Sequence, residues 1–401
     1  VPSFASNAWR YATLPSLLPN LLGMGQSPLI LAALATDAVS GLKVKNAIAI
    51  TGAAAGNFDS ALITDVNGDS YIVRVPTTPT AGAELELEIQ VLKSLSAFTA
   101  RLGFEIPQKV GETRDLSTGN RVLVFKYVHG NPIDTRRMNA ASAITQSIAK
   151  AISTIHSLPI ELVQNNGLSE FSPAENIRLR VAELDRAMQS GQVPPILLQR
   201  WEEALSDVSL FKYQPVVVHG SLAVETVLER AGEVSGIIDW RKVQLGDPAL
   251  DFGWLANEAP ELLESILLNY QLSRTAADGN IAKRAALYAE LEWVRWLVHG
   301  YAVKDTVIVE EAIQGLQELA GAASEGQLPP LTASAVAAAA SVGLVETISF
   351  IEQENEPGFL AESESSSDED AYPATKPIDF LEFLESEDQE SKKQDDDKDL
   401  F

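Results

Sequence analysis

The amino-acid sequence predicts an α+β chain, with a small β-rich first part, a larger helical second part and an acidic tail. Three observations predict it. Short β-prone runs separated by turn residues fill most of the first 127 residues. Apolar residues recurring every three or four positions dominate from about residue 140 to 320, and the chain ends in a tract rich in Ser, Asp and Glu.

Residues 29–40, with Leu29, Ile30, Leu31, Leu34, Ala35 and Val39, predict an amphipathic helix closed by Gly41. Residues 47–51, 58–64 and 71–75 are β-prone, and Asn67-Gly68 between the last two is a hairpin signal. A charged helix is expected over 84–95, then strands at 109–114 and 121–127 around a turn at Thr118-Gly119-Asn120. Ile144, Ile148, Ile152 and Ile155 predict a helix ending near His156. Further helices are expected at 178–190, stopped by Gly191, and at 196–208, opened by Pro194-Pro195. An apolar island then interrupts the helices, with runs at 215–219, 224–228 and 234–240. Helical periodicity resumes at 260–272, 280–301 and 307–319, and an Ala-rich helix over 333–354 leads into the acidic tract. That tract buries too little apolar surface to offset chain entropy and is expected to be disordered. The boundaries this suggests are 1–127, 128–330 and 331–401.

The 401 residues include 30 basic and 55 acidic side chains, a net charge of −25. Between Glu352 and Phe401 lie 18 acidic residues and four lysines, a net −14, which leaves −11 for the body. Such a body has no electrostatic footprint for nucleic acid or an anionic membrane, so neither is expected as a partner. The uncharged run 14–35 is interrupted by Pro15, Pro19, Asn20, Gln26 and Pro28, and the run 326–345 is mostly Ala, Ser and Gly; neither reads as a membrane span. With no cysteine there is no disulfide framework or thiolate metal site, and the four histidines include no pair at metal-ligand spacing. A cytoplasmic location is the expectation.

The stretch from His219 to Asp251 carries the chemistry. It reads as a tight loop between short strands, then a hairpin at Ala231-Gly232, with Asp239 ending an apolar strand before Trp240. A carboxylate there suits a hard cation with phosphate oxygens completing its shell, and it equally suits a cap on the next turn. His219 is expected to brace the loop through backbone, and His156 to pack at a helix end. Asp247 and Asp251 are expected to cap the start of a helix and brace the loop before it. Tyr288, Trp293 and Trp296 lie with Glu290 and Glu292 on one helix, either as an aromatic wall with carboxylates or as helix–helix core.

His219, Gly220, Leu222, Ile238, Asp239, Trp240, Gly246, Asp247, Pro248, Ala249 and Asp251 together resemble the catalytic block of the aminoglycoside/macrolide phosphotransferases, relatives of the protein kinases. The family pattern is His-Gly-Asp-Leu, then Asn or His, then Ile-Asp-Trp, then Asp-Pro-Ala-x-Asp; the macrolide branch is the most similar. The resemblance implies a bilobal protein-kinase-like fold, ATP or GTP with magnesium as cofactor, and a small hydroxyl-bearing acceptor. It implies that Arg74 pairs the nucleotide phosphates, that Glu88 orients Arg74, with Glu84 or Glu86 as alternatives, and that Asp239 holds the metal. It places the phosphate-covering turn at 51–58 and the nucleotide hinge at Phe125-Lys126-Tyr127-Val128, with Tyr127 binding the base edge.

Two positions depart from the pattern. Ser221 stands where the family has its catalytic Asp, and Thr226, or Glu225 if the loop shifts by one, stands where it has a second metal ligand. A serine hydroxyl accepts no proton at neutral pH, and loss of a general base costs on the order of 10²–10⁴ in rate. Two functions are therefore open: a small-molecule kinase, or a pseudokinase that binds nucleotide and acts as a regulator or scaffold. In the tail, Ile378, Phe380, Leu381, Phe383 and Leu384 can form a short amphipathic helix that docks on a protein partner, or can be part of a solvated segment.

Overall fold

The computed structural model describes residues 26–50, 57–274 and 278–332. The Ala-rich helix, the acidic tract with its apolar segment, and most of the turn at 51–58 lie outside the described residues.

Helix α1 (Pro28–Ala38) precedes three strands, β1 (Val44–Ala49), β2 (Phe58–Asp65) and β3 (Ser70–Pro76). After α2 (Pro79–Leu95) and the short α3 (Thr99–Leu102) come β4 (Gln108–Arg114) and β5 (Arg121–Lys126). The five strands form one antiparallel sheet in the order β1-β2-β3-β5-β4. Side-chain alternation sorts β5 between two layers: Val122 and Val124 pack with Leu31 and Ala35 of α1, whereas Leu123 and Phe125 pack with Leu85 and Leu92 of α2. Both faces are covered, so all four residues are buried. The β2–β3 hairpin turns where Asn67-Gly68 predicts it, with the Asp65 carboxylate accepting from the N–H groups of Asn67 and Asp69.

The second lobe begins with β6 (Asn131–Pro132) and helices α4 (Ala143–Ile155), α5 (Glu161–Gln164), α6 (Pro173–Met188) and α7 (Pro195–Ser206). Strands β7 (Val216–Val218), β8 (Val227–Arg230), β9 (Glu233–Ile237) and β10 (Gln244–Gly246) come next. Helices α8 (Gly253–Glu258), α9 (Pro260–Leu272), α10 (Ile281–Ala302) and α11 (Thr306–Ser324) complete it. Strands β6, β8 and β9 form one small sheet, and β7 pairs with β10 in another. The lobes join at backbone level: Glu105 N–H donates to Ser235 O and Glu105 O accepts from Ile237 N–H. Gly236 lies at this crossing, where a Cβ would come within 2.2 Å of the Val128 side chain. The architecture is thus bilobal and protein-kinase-like, a β-rich first lobe on a helical second one.

Several boundaries differ from the sequence expectation, each for a local reason. Helix α2 starts at Pro79 rather than at residue 84, because the Thr78 side chain accepts from Ala81 N–H and Pro79 is pre-set for the first turn. Helix α6 starts at Pro173 rather than at 178, because Ser172 and Glu175 close a capping box. The strand expected over 224–228 lies at Val227–Arg230, because the Thr226 hydroxyl bonds Ala223 and holds 223–226 in a turn.

Candidate functional site

The loop after β7 is held from behind by buried carboxylates. Asp251 is fully buried and accepts from the backbone N–H groups of His219 and Gly220, both at 2.8 Å. The His156 ring bridges Asp251 (3.1 Å) and the Tyr270 hydroxyl (2.8 Å). Burial works against the Asp251 carboxylate, but its donors outweigh burial and hold the carboxyl below its ordinary range. Gly220 takes φ +78, and a Cβ there would stand 2.4 Å from the Lys242 carbonyl, so only glycine fits. Four residues before Asp251, Asp247 is forked by Arg284 at 2.7 and 3.0 Å and also accepts from the Tyr288 hydroxyl and Ala249 N–H.

His219 braces the loop as its position predicts. Its Nε2 lies 3.2 Å from the Ile238 carbonyl, which fixes the proton on Nε2 and leaves Nδ1 as an acceptor 3.4 Å from Ser221 Oγ. Burial lowers the His219 pKa, so the ring is neutral. Ser221 Oγ donates either to that nitrogen or to the Asp239 carbonyl at 3.3 Å. Among the described residues, no carboxylate bonds the Ser221 hydroxyl.

The Arg74 cation on β3 and the Glu88 carboxylate on α2 meet at 2.9 Å. Glu88 is 1% exposed, and its other oxygen accepts from Trp240 N–H at 3.2 Å, tying α2 to the strand end that carries Asp239. Burial pushes the Glu88 carboxyl up, and Arg74 pulls it back only in part. The alternatives for this role are engaged elsewhere: Glu86 with Arg121, and Glu84 with Arg241 and Lys242.

Asp239 has φ +69, a left-handed conformation that Asp tolerates better than bulkier residues. Arg241 forks it, Nη2 to Oδ2 at 2.9 Å and Nε to Oδ1. Burial alone would raise the Asp239 pKa; the guanidinium outweighs it and holds the carboxyl below its ordinary range. The Arg241 Nη1 also donates to Glu84 at 2.9 Å. The Phe58 ring lies under both guanidiniums, 4.3 Å from Arg74 and 5.3 Å from Arg241.

Thr226 does not join Asp239 in an open ligand pair. Its Oγ1 accepts from Ala223 N–H at 2.8 Å and donates to Ala223 O at 3.2 Å. Glu225, the alternative ligand, is half-buried. One of its oxygens is buried with no hydrogen-bond partner, burial raises its pKa, and burial together with the Glu225 charge pushes the Glu258 carboxyl up to about 7. Magnesium needs several oxygen ligands in near-octahedral geometry. Here the one carboxylate at the expected position has both oxygens on an arginine, the threonine is used within its own turn, and among the described residues no three His, Cys, Asp or Glu side chains are grouped to hold a metal ion. The side chains as placed do not fit that ion.

Tyr127 lies just past β5. Its N–H donates to Ser70 O and its ring packs edge-on against His129 at 5.0 Å, so that N–H is not free for a base edge. On α10, the Tyr288 hydroxyl goes to Asp247, Trp293 packs in the helical core, and Glu290 takes Arg200 and Trp201 Nε1. These residues form helix–helix core. Sequence reasoning missed Arg241, Phe58 and the His156 bridge. For Arg241 a signal existed, a cation two residues beyond the presumed metal ligand; for the His156 bridge there was none, since 95 residues separate it from Asp251.

Known proteins are similar to this chain. The family model described as the phosphotransferase enzyme family matches residues 51–293. Viomycin phosphotransferase of Streptomyces vinaceus is 26% identical over 279 residues, 63% of this chain and 88% of the relative. Among solved structures, a macrolide 2'-phosphotransferase apoenzyme from Brachybacterium faecium has a TM-score of 0.61 at 20% identity, covering 72% of this chain and 98% of its own. The GDP complex of wild-type aminoglycoside 2'-phosphotransferase-IIIa has a TM-score of 0.61 at 18% identity, with 73% and 98% covered. At these identities the two structures show the fold.

Proposed function

The chain belongs to the phosphotransferase enzyme family, and on that premise we propose that it is a nucleotide-binding member in which phosphoryl transfer has been lost, acting as a regulator or scaffold. The observation that carries this reading is Ser221, whose hydroxyl donates to His219 Nδ1 or to the Asp239 carbonyl at the place where the family pattern has a carboxylate. Without a base, the acceptor hydroxyl keeps its proton, and about 10²–10⁴ in rate is forfeited. The neutral His219 ring does not repair this, because it is fully buried behind Ser221.

The nucleotide half of the proposal rests on Arg74. Its guanidinium is oriented by Glu88, which is itself held by Trp240 N–H, and a cation so fixed suits phosphate oxygens. ATP or GTP is the proposed ligand; a solved relative is a GDP complex. We assign the nucleotide-binding lobe to residues 1–127, the lobe with the loop to 128–330, and a protein partner to the acidic segment beyond. The proposed location is cytoplasmic; among the described residues no helix is long and apolar enough to cross a membrane.

A small-molecule kinase is the second reading. It is favoured by the viomycin phosphotransferase relative, which the chain covers over 88% of its length, and by the dependence of phosphoryl transfer on positioning more than on base catalysis. One experiment separates the two. The full chain is melted with ATP or GTP and then assayed for turnover against aminoglycoside, macrolide and viomycin acceptors. The expected result is stabilisation, about 2.7 kcal/mol at a hundredfold excess over Kd, without turnover. Turnover by the unmodified chain overturns the proposal, and so does a melting temperature indifferent to both nucleotides.

A further inference from the structure

Arg241 belongs to none of the roles assigned so far. It comes directly after Trp240, and its guanidinium sits on Asp239 with its edge against both carboxylate oxygens. We infer that Arg241 occupies the place of the divalent cation, so that this site binds nucleoside triphosphate without a metal, its phosphates facing the two guanidiniums of Arg74 and Arg241. The inference rests on the nucleotide-binding reading above and goes beyond it.

Charge is the first support. Arg74, Arg241 and Lys242 meet Glu84, Glu88 and Asp239, three cations against three carboxylates, joined by ion pairs of 2.8 to 2.9 Å and by the Arg241 fork. The cluster is formally balanced with no ion added. A magnesium ion at Asp239 would have to break a bidentate pair in which the arginine is 12% exposed, and would then sit beside a displaced guanidinium of like charge.

Donor geometry is the second. A guanidinium has five N–H groups. Arg241 spends three of them, two on Asp239 and one on Glu84, and Arg74 spends one on Glu88. Among the described residues no other hydrogen-bond acceptor takes the rest, and both side chains keep some exposure, 16% for Arg74 and 12% for Arg241. Phe58 lies against both planes and holds them near one another. Two fixed planar cations recognise non-bridging phosphate oxygens directly, which is the service a metal ion otherwise performs. The third support is the missing ligand set: Thr226 closes its own turn, and among the described residues no three His, Cys, Asp or Glu side chains are grouped to hold a metal ion.

The test measures Kd for ATP and for GTP by calorimetry on the full chain, once in EDTA and once in magnesium chloride. Equal affinity within about threefold is expected. Arg241→Met keeps apolar packing on Phe58 and removes the charge; it should weaken binding in EDTA about 10- to 100-fold, the loss of charge-assisted bonds, and Arg241→Lys should recover part of it. Unchanged circular-dichroism melting of the free variants shows that they are folded. Binding only in magnesium overturns the inference while leaving the nucleotide reading standing. Binding in EDTA by Arg241→Met as tight as that of the unmodified chain also overturns it, showing that the Arg241 guanidinium does not face the phosphates. No binding in either condition, with the protein folded, overturns both readings.

Discussion

Behind the loop after β7, and at its mouth, the same chain treats carboxylates in opposite ways. Behind it, Asp247 and Asp251 are fully buried, and each is met by three or more donors from backbone, histidine, tyrosine or arginine. At the mouth, the Ser221 hydroxyl reaches only His219 Nδ1 and the Asp239 carbonyl, the Thr226 hydroxyl closes its own turn, and the Asp239 carboxylate is clamped by Arg241. The difference teaches that the carboxylates holding the loop's backbone and the residues at its mouth are separate sets, the first fixed by buried donors and the second paired with one another at the surface of the loop.

That contrast is sharpest in stability. Asp247→Ala removes one of the two carboxylates on the fully buried Arg284 side chain, leaving Asp278 at 2.6 Å, and deprives the Tyr288 hydroxyl and Ala249 N–H of their acceptor; it should cost about 3–5 kcal/mol. Denaturant midpoints measure it, and a loss below about 1 kcal/mol would break the contrast. Asp251→Asn comes next, at about 2–3 kcal/mol, because the amide presents N–H to a site that supplies only donors from His219 and Gly220. Asp251 also sets a pH dependence. Its folded pKa lies below the unfolded value, so the native state binds fewer protons there. Its contribution is present above the unfolded pKa of about 3.8 and is lost as pH falls through the lower folded value. Asp251→Asn should therefore flatten the acid limb of the melting curve, which melts from neutral to acid pH will read. The smallest effect is at the mouth. Ser221→Ala removes only hydrogen bonds of 3.3 to 3.4 Å and should change stability by about 0.5 kcal/mol or less. A large loss there would make Ser221 part of the scaffold.

Much of the fold is legible in the residues alone. Alternation at Val122 to Phe125, the Asn67-Gly68 turn and the isoleucine spacing of α4 each depend on neighbours within a few residues, and each element formed. The starts of α2 and α6 are equally local, written in Thr78-Pro79 and in Ser172 with Glu175. They escape a reading by apolar periodicity, which begins only after the caps. The bonding of the candidate site is legible in part. The Arg74–Glu88 pair and the His219 brace follow from the resemblance and from position, whereas no motif says that Arg241 takes Asp239 or that the Thr226 hydroxyl closes its own turn.

The sequence by itself determined the class of the chain. Period and order specify a strand-rich lobe and then a helical one, and the His219–Asp251 block specifies the family. The charge split, with −14 in the last fifty residues, likewise comes from the sequence alone. Only tertiary structure decided that Arg74 meets Glu88 and neither Glu84 nor Glu86, that the Thr226 hydroxyl is spent inside its turn, and that Arg241 reaches back onto Asp239. The reason is physical. Helix and strand arise from backbone bonds and burial between near neighbours, whereas Coulomb attraction and hydrogen bonds join whatever packing brings within about 3 Å, and 14 to 157 residues of chain separate the partners of Arg74–Glu88, Trp240–Glu88 and Arg241–Glu84.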